Sequence, residues 1–229
     1  MKGVGIIGGL GPQTTAEFYI KIMLGVNEAN KDNRPLVVFS SVPMQTQHER
    51  DAIVQNKNVE VFIEYITTEA IRLEKSGVDF IVMPCNSLHC FIDELRSSVG
   101  IPVLSIVEET IKLIKEKRYK KIGIVSTLIT LEKKVYETKL SEQGIDFINP
   151  NKTQQTKLGK IVERLVFGNS ANNDGKVLLS IIDNLKEQGA EVVILACTDL
   201  QLLVPKKERK NIYDTMEIFA NATVKNIVT

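Results

Sequence analysis

The stretch Glu74-Lys75-Ser76-Gly77-Val78-Asp79-Phe80-Ile81-Val82-Met83-Pro84-Cys85-Asn86-Ser87 returns later in the chain as Glu187-Gln188-Gly189-Ala190-Glu191-Val192-Val193-Ile194-Leu195-Ala196-Cys197-Thr198. Each copy leaves a helical pattern at a glycine, runs through a short apolar segment rich in Val and Ile, and stops on a cysteine. Continuous apolar runs of this length read as strands buried on both faces. Gly77 and Gly189 lie 112 positions apart, and so do Cys85 and Cys197. Val4-Gly5-Ile6-Ile7-Gly8-Gly9 likewise parallels Ile122-Gly123-Ile124-Val125-Ser126-Thr127, and the segment from Val103 to Thr110 parallels Asn211 to Thr215. A repeat on this scale predicts an α/β protein of two pseudo-equivalent lobes, with one cysteine on each side of a cleft.

Working outward, strands are expected at Val4–Ile7, Leu36–Val42, Phe80–Met83, Val103–Ile106, Ile122–Val125, Ile145–Ile148, Val192–Leu195 and Ile212–Tyr213. Helical patterns fill the intervals at 14–30, 58–76, 88–99, 107–116, 131–143, 156–166, 174–188 and 215–227. Regular strand–helix alternation implies βαβ units and mainly parallel sheets flanked by helices. The expected division is 1–115 for the first lobe and 116–229 for the second, with the segment from about 211 packing back on the first lobe. The polar run from Gly168 to Gly175 reads as a turn rather than a linker.

The 229 residues carry 29 Lys and Arg against 28 Asp and Glu, a formal net charge of +1. Such a balance gives no footing for nucleic-acid binding or a basic membrane face. No apolar run reaches the ~18 residues of a spanning helix, and the Gly-rich N-terminus does not read as a signal peptide. Three cysteines argue against a disulfide framework and for a reducing, cytoplasmic setting.

Ligands of open parallel sheets bind beyond the carboxyl ends of strands, where Cys85 and Cys197 both fall. Backbone N–H groups at the following turns are expected to favour the thiolate and lower the thiol pKa. Taken singly, each cysteine also reads as a small core residue; their matched placement favours chemistry. Gly3-Val4-Gly5-Ile6-Ile7-Gly8 spells G-x-G-x-x-G but lies inside a strand, so no dinucleotide site is expected. The turn Gly8-Gly9-Leu10-Gly11-Pro12 instead allows close backbone approach to a small anion before a helix. Cys85, His89 and Cys90 cluster without metal-ligand spacing, so no metal site is expected. Arg50 can meet a substrate carboxylate with its planar fork, or lie solvated at the surface.

The motifs Gly8-Gly9-Leu10-Gly11-Pro12, Pro84-Cys85-Asn86-Ser87-Leu88-His89 and Ala196-Cys197-Thr198-Asp199 resemble the signatures of the aspartate/glutamate racemase superfamily, and within it the aspartate racemase branch. The similarity extends to Ser126-Thr127-Leu128-Ile129-Thr130 and Leu202-Leu203-Val204-Pro205. The resemblance implies a bilobal, homodimeric isomerase that needs no cofactor and interconverts L- and D-aspartate, with glutamate as a further substrate. It implies Cys85 and Cys197 as catalytic acid/bases. Asn86, Ser87, Thr127 and Thr198 match positions that hold the α-amino and α-carboxylate groups, and Arg50 resembles the basic residue for the side-chain carboxylate. Leu10, Pro12, Gln13 and Asp199 complete the expected substrate-binding set. The chain departs from the usual pattern at Ser87 (commonly Thr), Asp199 (commonly Glu), Ala196 and Ile129 (both commonly Gly). No basic residue follows Val166-Phe167-Gly168, where some aspartate racemases carry a lysine. Other superfamily reactions (hydantoin racemisation, maleate isomerisation, malonate decarboxylation) and a non-catalytic small-acid binding protein are the alternatives.

Overall fold

Alternation along each central strand sorts its side chains into two layers. In the computed structural model, which describes the backbone of residues 1–229 and every side chain except those of residues 53–55 and 206, β1 (Val4–Gly8), β2 (Val37–Ser41) and β3 (Phe80–Val82) form a parallel sheet of order β2-β1-β3. A second parallel sheet joins β4 (Lys121–Ser126), β5 (Asp146–Ile148), β6 (Val192–Ala196) and β7 (Ile212–Asp214) in the order β5-β4-β6-β7. Val4, Ile6, Phe80 and Val82 of one sheet, and Ile122, Ile124, Val192 and Ile194 of the other, enter one shared core. Their neighbours along the strands point away: Ile7 and Ile81 into an outer core of the first sheet, Val125, Val193 and Leu195 into an outer core of the second.

The helices divide accordingly. The shared core takes α1 (Pro12–Ala29), α5 (Ile106–Glu116) and α10 (Thr215–Val228). Phe18 of α1 stacks on Phe219 of α10 with ring centroids 5.5 Å apart, and the Lys2 amide donates to the Ile227 carbonyl, so the C-terminal helix packs on the N-terminal one. α3 (Val61–Lys75) covers the outer face of the first sheet, and α8 (Lys152–Val166) and α9 (Asp174–Glu187) that of the second. The duplication extends to packing detail. A Cβ on Gly5 would press on Leu73 and Val78; one on Gly123 would press on Val193, Leu185 and Ala190, the last two being the repeat partners of Leu73 and Val78.

Four expectations change. The strand expected at 103–106 shrinks to a single parallel bridge, Ile81 with Val103, because the Ser105 side chain accepts the Glu108 amide and starts α5 at once. The helix expected at 131–143 is two pieces, α6 (Leu128–Glu132) and α7 (Glu137–Glu142), with Lys134 at a left-handed φ of 51° between them. The segment after Cys85 is a 3₁₀ turn over Ser87–Phe91 before α4 (Ile92–Ser97). The interval between the strand expected at 36–42 and the helix expected at 58–76, to which the sequence assigns no element, contains α2 (Thr46–Gln55), a polar helix. Among the described residues no helix is long and apolar enough to cross a membrane.

Candidate active site

Both strand ends that carry the repeated cysteine open onto the same space. β3 runs out through Met83 and Pro84 to Cys85, and β6 ends at Ala196, one residue before Cys197. Each cysteine is followed by a short 3₁₀ segment, Ser87–Phe91 in one half and Leu200–Leu203 in the other. The two thiols line one cavity of about 70 Å³ between the two sheets' carboxyl ends. Sites for drug-sized ligands run to several hundred Å³, so this one suits a small metabolite.

The first half contributes Leu10, Gly11, Asn86 and Ser87 alongside Cys85; the second contributes Thr127, Thr198 and Asp199 alongside Cys197. Gly11, at φ 98°, is where the first Gly-rich turn meets the second half: a Cβ there would stand 2.9 Å from an Asp199 carboxylate oxygen. That close approach lets the Thr14 hydroxyl donate to Asp199 Oδ1 at 3.0 Å. The hydroxyls of Ser87, Thr127 and Thr130 form a triangle, with separations of 2.8, 2.9 and 3.2 Å. Thr127 is also the N-cap of α6, accepting the Thr130 amide. Such a cluster, built from both halves, can turn its protons toward an anion.

Asn86 is placed otherwise. It is buried, donates to Thr215 Oγ1 at 3.0 Å, and accepts from the Tyr136 hydroxyl at 2.5 Å. These contacts tie the Cys85 turn to the second half and to α10. His89 fixes the same turn from below: its Nδ1 lies 2.7 Å from the Cys85 carbonyl, and its Nε2 accepts the Ile106 amide at 3.2 Å. Burial pulls its pKa down to about 4, so it is a neutral strut.

The sequence suggests lowered thiol pKa values; the structure reverses the sign. Burial pushes Cys85 up to about 11, against the Leu88 and Ser87 N–H groups, while the charges of Asp199 and Glu49 push it further. Cys197 lies higher still, through burial and then the adjacent Asp199. The turns do supply amides, but desolvation outweighs them. Asp199 is itself raised to about 6 by burial, with Thr14 opposing. Among the described residues no three His, Cys, Asp or Glu side chains gather as metal ligands would.

Of the expected substrate-binding residues, Pro12, Gln13 and Arg50 do not line the cavity. Pro12 opens α1 at its first turn and Gln13 bonds Glu17 on the exposed face. Arg50 reaches from α2 to α8, 3.8 Å from Glu163 and with its guanidinium 4.4 Å from the Phe167 ring centroid. Conversely, the walls include residues the sequence did not single out: Met44, Glu49 and Ala52 around α2, Phe62 of α3, Val162 and Val166 of α8. The missing signal was α2 itself, whose polar sequence hides its cavity-facing side.

The Asp/Glu/hydantoin racemase family matches residues 7–223 of this chain. A broad-specificity amino-acid racemase of Bacillus subtilis is 28% identical over 226 residues, covering 96% of either chain. A Yersinia pestis crystal structure, described as a candidate Asp/Glu racemase, superposes with a TM-score of 0.85 at 27% identity over the full length of both chains. The aspartate racemase of Picrophilus torridus shares the fold, with a TM-score of 0.82 at 22% identity over 100% of this chain and 95% of its own.

Proposed function

The chain belongs to the Asp/Glu/hydantoin racemase family, and from that premise we propose that it is an isomerase inverting the α-carbon of an amino acid with its own two thiols and no cofactor. The observation that carries this is the pair of cysteines from equivalent strand ends lining one cavity from its two halves. Inversion breaks the Cα–H bond on one face and forms a new one on the other. A thiolate takes the proton, and the thiol opposite delivers its own, so each turnover leaves the two sulfurs with exchanged protonation, ready for the other enantiomer. A sulfur raised by burial is a strong base for a weakly acidic C–H, and the substrate's ammonium supplies the positive charge that lets a thiolate form. The hydroxyls of Ser87 and Thr127 receive the α-carboxylate, where charge gathers as the carbanion forms, and Asp199 receives the ammonium.

Aspartate is the substrate that the motifs suggest. It would bring a second carboxylate into a cavity whose described walls carry Glu49 and Asp199 and no Lys, Arg or His. The family name by itself does not choose between acidic and other amino acids. The deciding experiment incubates a panel of L- and D-amino acids with the protein in EDTA, without pyridoxal phosphate, flavin or nicotinamide. Loss of optical activity with deuterium entering from D₂O at Cα is the expected result. Activity appearing only after a metal or cofactor is added would overturn the proposal.

A further inference from the structure

The charge of the cavity is one-sided. Asp199 is engaged by Thr14, but among the described residues the Glu49 carboxylate has no hydrogen-bond or ion-pair partner, although it is half-buried on the wall. The charge that acts on it most is that of Asp199, another carboxylate. The nearest cation in sequence, Arg50, is committed to Glu163 and Phe167. The same cavity is lined by Met44, Ala52, Phe62, Val162 and Val166, an apolar surface from α2, α3 and α8, as well as by the polar groups around the two cysteines.

We infer that the substrate is an amino acid with a cationic side chain, its methylenes lying on this apolar wall and its terminal amine or guanidinium pairing with Glu49. The inference rests on the racemase reading and specifies its substrate. An apolar stem ending in a cation satisfies both the apolar lining and the unpaired carboxylate. A zwitterion carrying a second carboxylate would add negative charge beside two carboxylates and a thiolate, in a site where burial leaves little solvent screening. A cationic side chain offsets it, with the α-ammonium on Asp199 and the distal cation on Glu49.

The test compares L-lysine, L-ornithine and L-arginine with L-aspartate, L-glutamate and the neutral L-norleucine, reading α-proton exchange in D₂O by NMR. For at least one cationic amino acid, kcat/KM is expected to exceed that for aspartate on the order of 100-fold. Glu49→Gln, which also removes a charge that acts on Cys85 whatever the substrate, should lower kcat/KM for that substrate by about 30-fold more than for norleucine, chiefly through KM. Exchange confined to acidic or neutral amino acids would overturn this inference and leave the racemase reading standing. Exchange with no amino acid at all would overturn the racemase reading. In that event calorimetric binding of L-lysine against L-aspartate still decides the charge preference. If Glu49→Gln does not fold, as judged by its melting curve, the rates of the wild-type protein across the same six amino acids decide the inference by themselves.

Discussion

The turns after Cys85 and Cys197 descend from one pattern yet present different chemistry to the cavity. In the first, the residue two places beyond the cysteine is Ser87, whose neutral hydroxyl joins Thr127 and Thr130 across the cleft. At the matching place in the second stands Asp199, a buried carboxylate held by Thr14. Four residues past Cys85 is His89, which bonds back to the cysteine's own carbonyl; the corresponding Gln201 bonds Glu17 of α1 and Arg209. Duplication thus kept the backbone that places two thiols and let the flanking groups diverge. A racemase needs similar bases on both faces of the carbon, but its substrate has a carboxylate on one arm and an ammonium on another. In the proposed reaction the hydroxyl at Ser87 and the carboxylate at Asp199 would answer that asymmetry.

The sharpest way to break the comparison is to remove one thiol at a time. Cys85→Ser and Cys197→Ser should each lower racemisation by about 10³-fold or more, since inversion in either direction needs both an acid and a base. Each variant should still exchange the α-proton of a single enantiomer with D₂O, slowly and without inverting it, and the two variants should choose opposite enantiomers. A thiolate on one face of a planar carbanion cannot reach hydrogen on the other. If both variants exchange the same enantiomer, the cysteines do not flank the carbon.

Asp199 offers a test of the second side alone. Its folded pKa, about 6, stands above the ordinary aspartate value of 3.8, so the fold disfavours its charged form. Stability is therefore lost as pH rises between those values, and the cost is fully present above about pH 6. Asp199→Asn keeps an oxygen for Thr14 and should stabilise the protein by up to ~3 kcal/mol at about pH 7–8, at about 1.4 kcal/mol per unit of pKa. The gain should vanish as pH falls to about 4, as followed by denaturant unfolding. The same variant should lose activity by roughly 10–100-fold through the missing charge-assisted contact to the ammonium. The wild type should lose activity below about pH 6, as the carboxylate takes up a proton, and the variant should lack that limb. A variant neither more stable nor less active would place Asp199 outside the site's chemistry.

Much of this was legible because repeats and strand runs are written in local residue types. The Val/Ile runs ending at Cys85 and Cys197 specified two parallel sheets and a cysteine at each mouth. The partner residues that close the site are matters of tertiary placement. Nothing local tells that Asn86 is spent on Tyr136 and Thr215, or that burial would override the turn amides at both sulfurs. α8 begins at Lys152, four residues before the helix read from the sequence, because Asn151 and Gln154 form a reciprocal capping box. That pair was there to be read as Asn-x-x-Gln. α2 was less accessible: its stretch Thr46-Gln47-His48-Glu49-Arg50-Asp51-Ala52 shows almost no apolar stripe, since of these residues Ala52 alone joins the core and Glu49 borders the cavity.

Arg50 carries the last and smallest effect, and it separates two accounts of α2. The helix places Glu49 and Ala52 on the cavity wall, while Arg50 spans to Glu163 and Phe167 on the α8 side, next to Val162 and Val166 of the same wall. Its side chain is 49% exposed. An exposed ion pair contributes about 0–1 kcal/mol and a cation over an aromatic ring a similar amount. With both removed, Arg50→Ala should loosen the closure of α2 on α8 and raise KM within about tenfold, with little change in melting temperature. The decisive feature is the dependence on substrate charge. A closure role predicts the same factor for cationic, neutral and acidic amino acids, because none of them touches the guanidinium. An anchoring role for a substrate carboxylate predicts a steep rise in KM for aspartate and glutamate alone. Steady-state kinetics on three substrates of different charge distinguishes the two, and a rise confined to the acidic pair would return Arg50 to the substrate site and remove the case for Glu49.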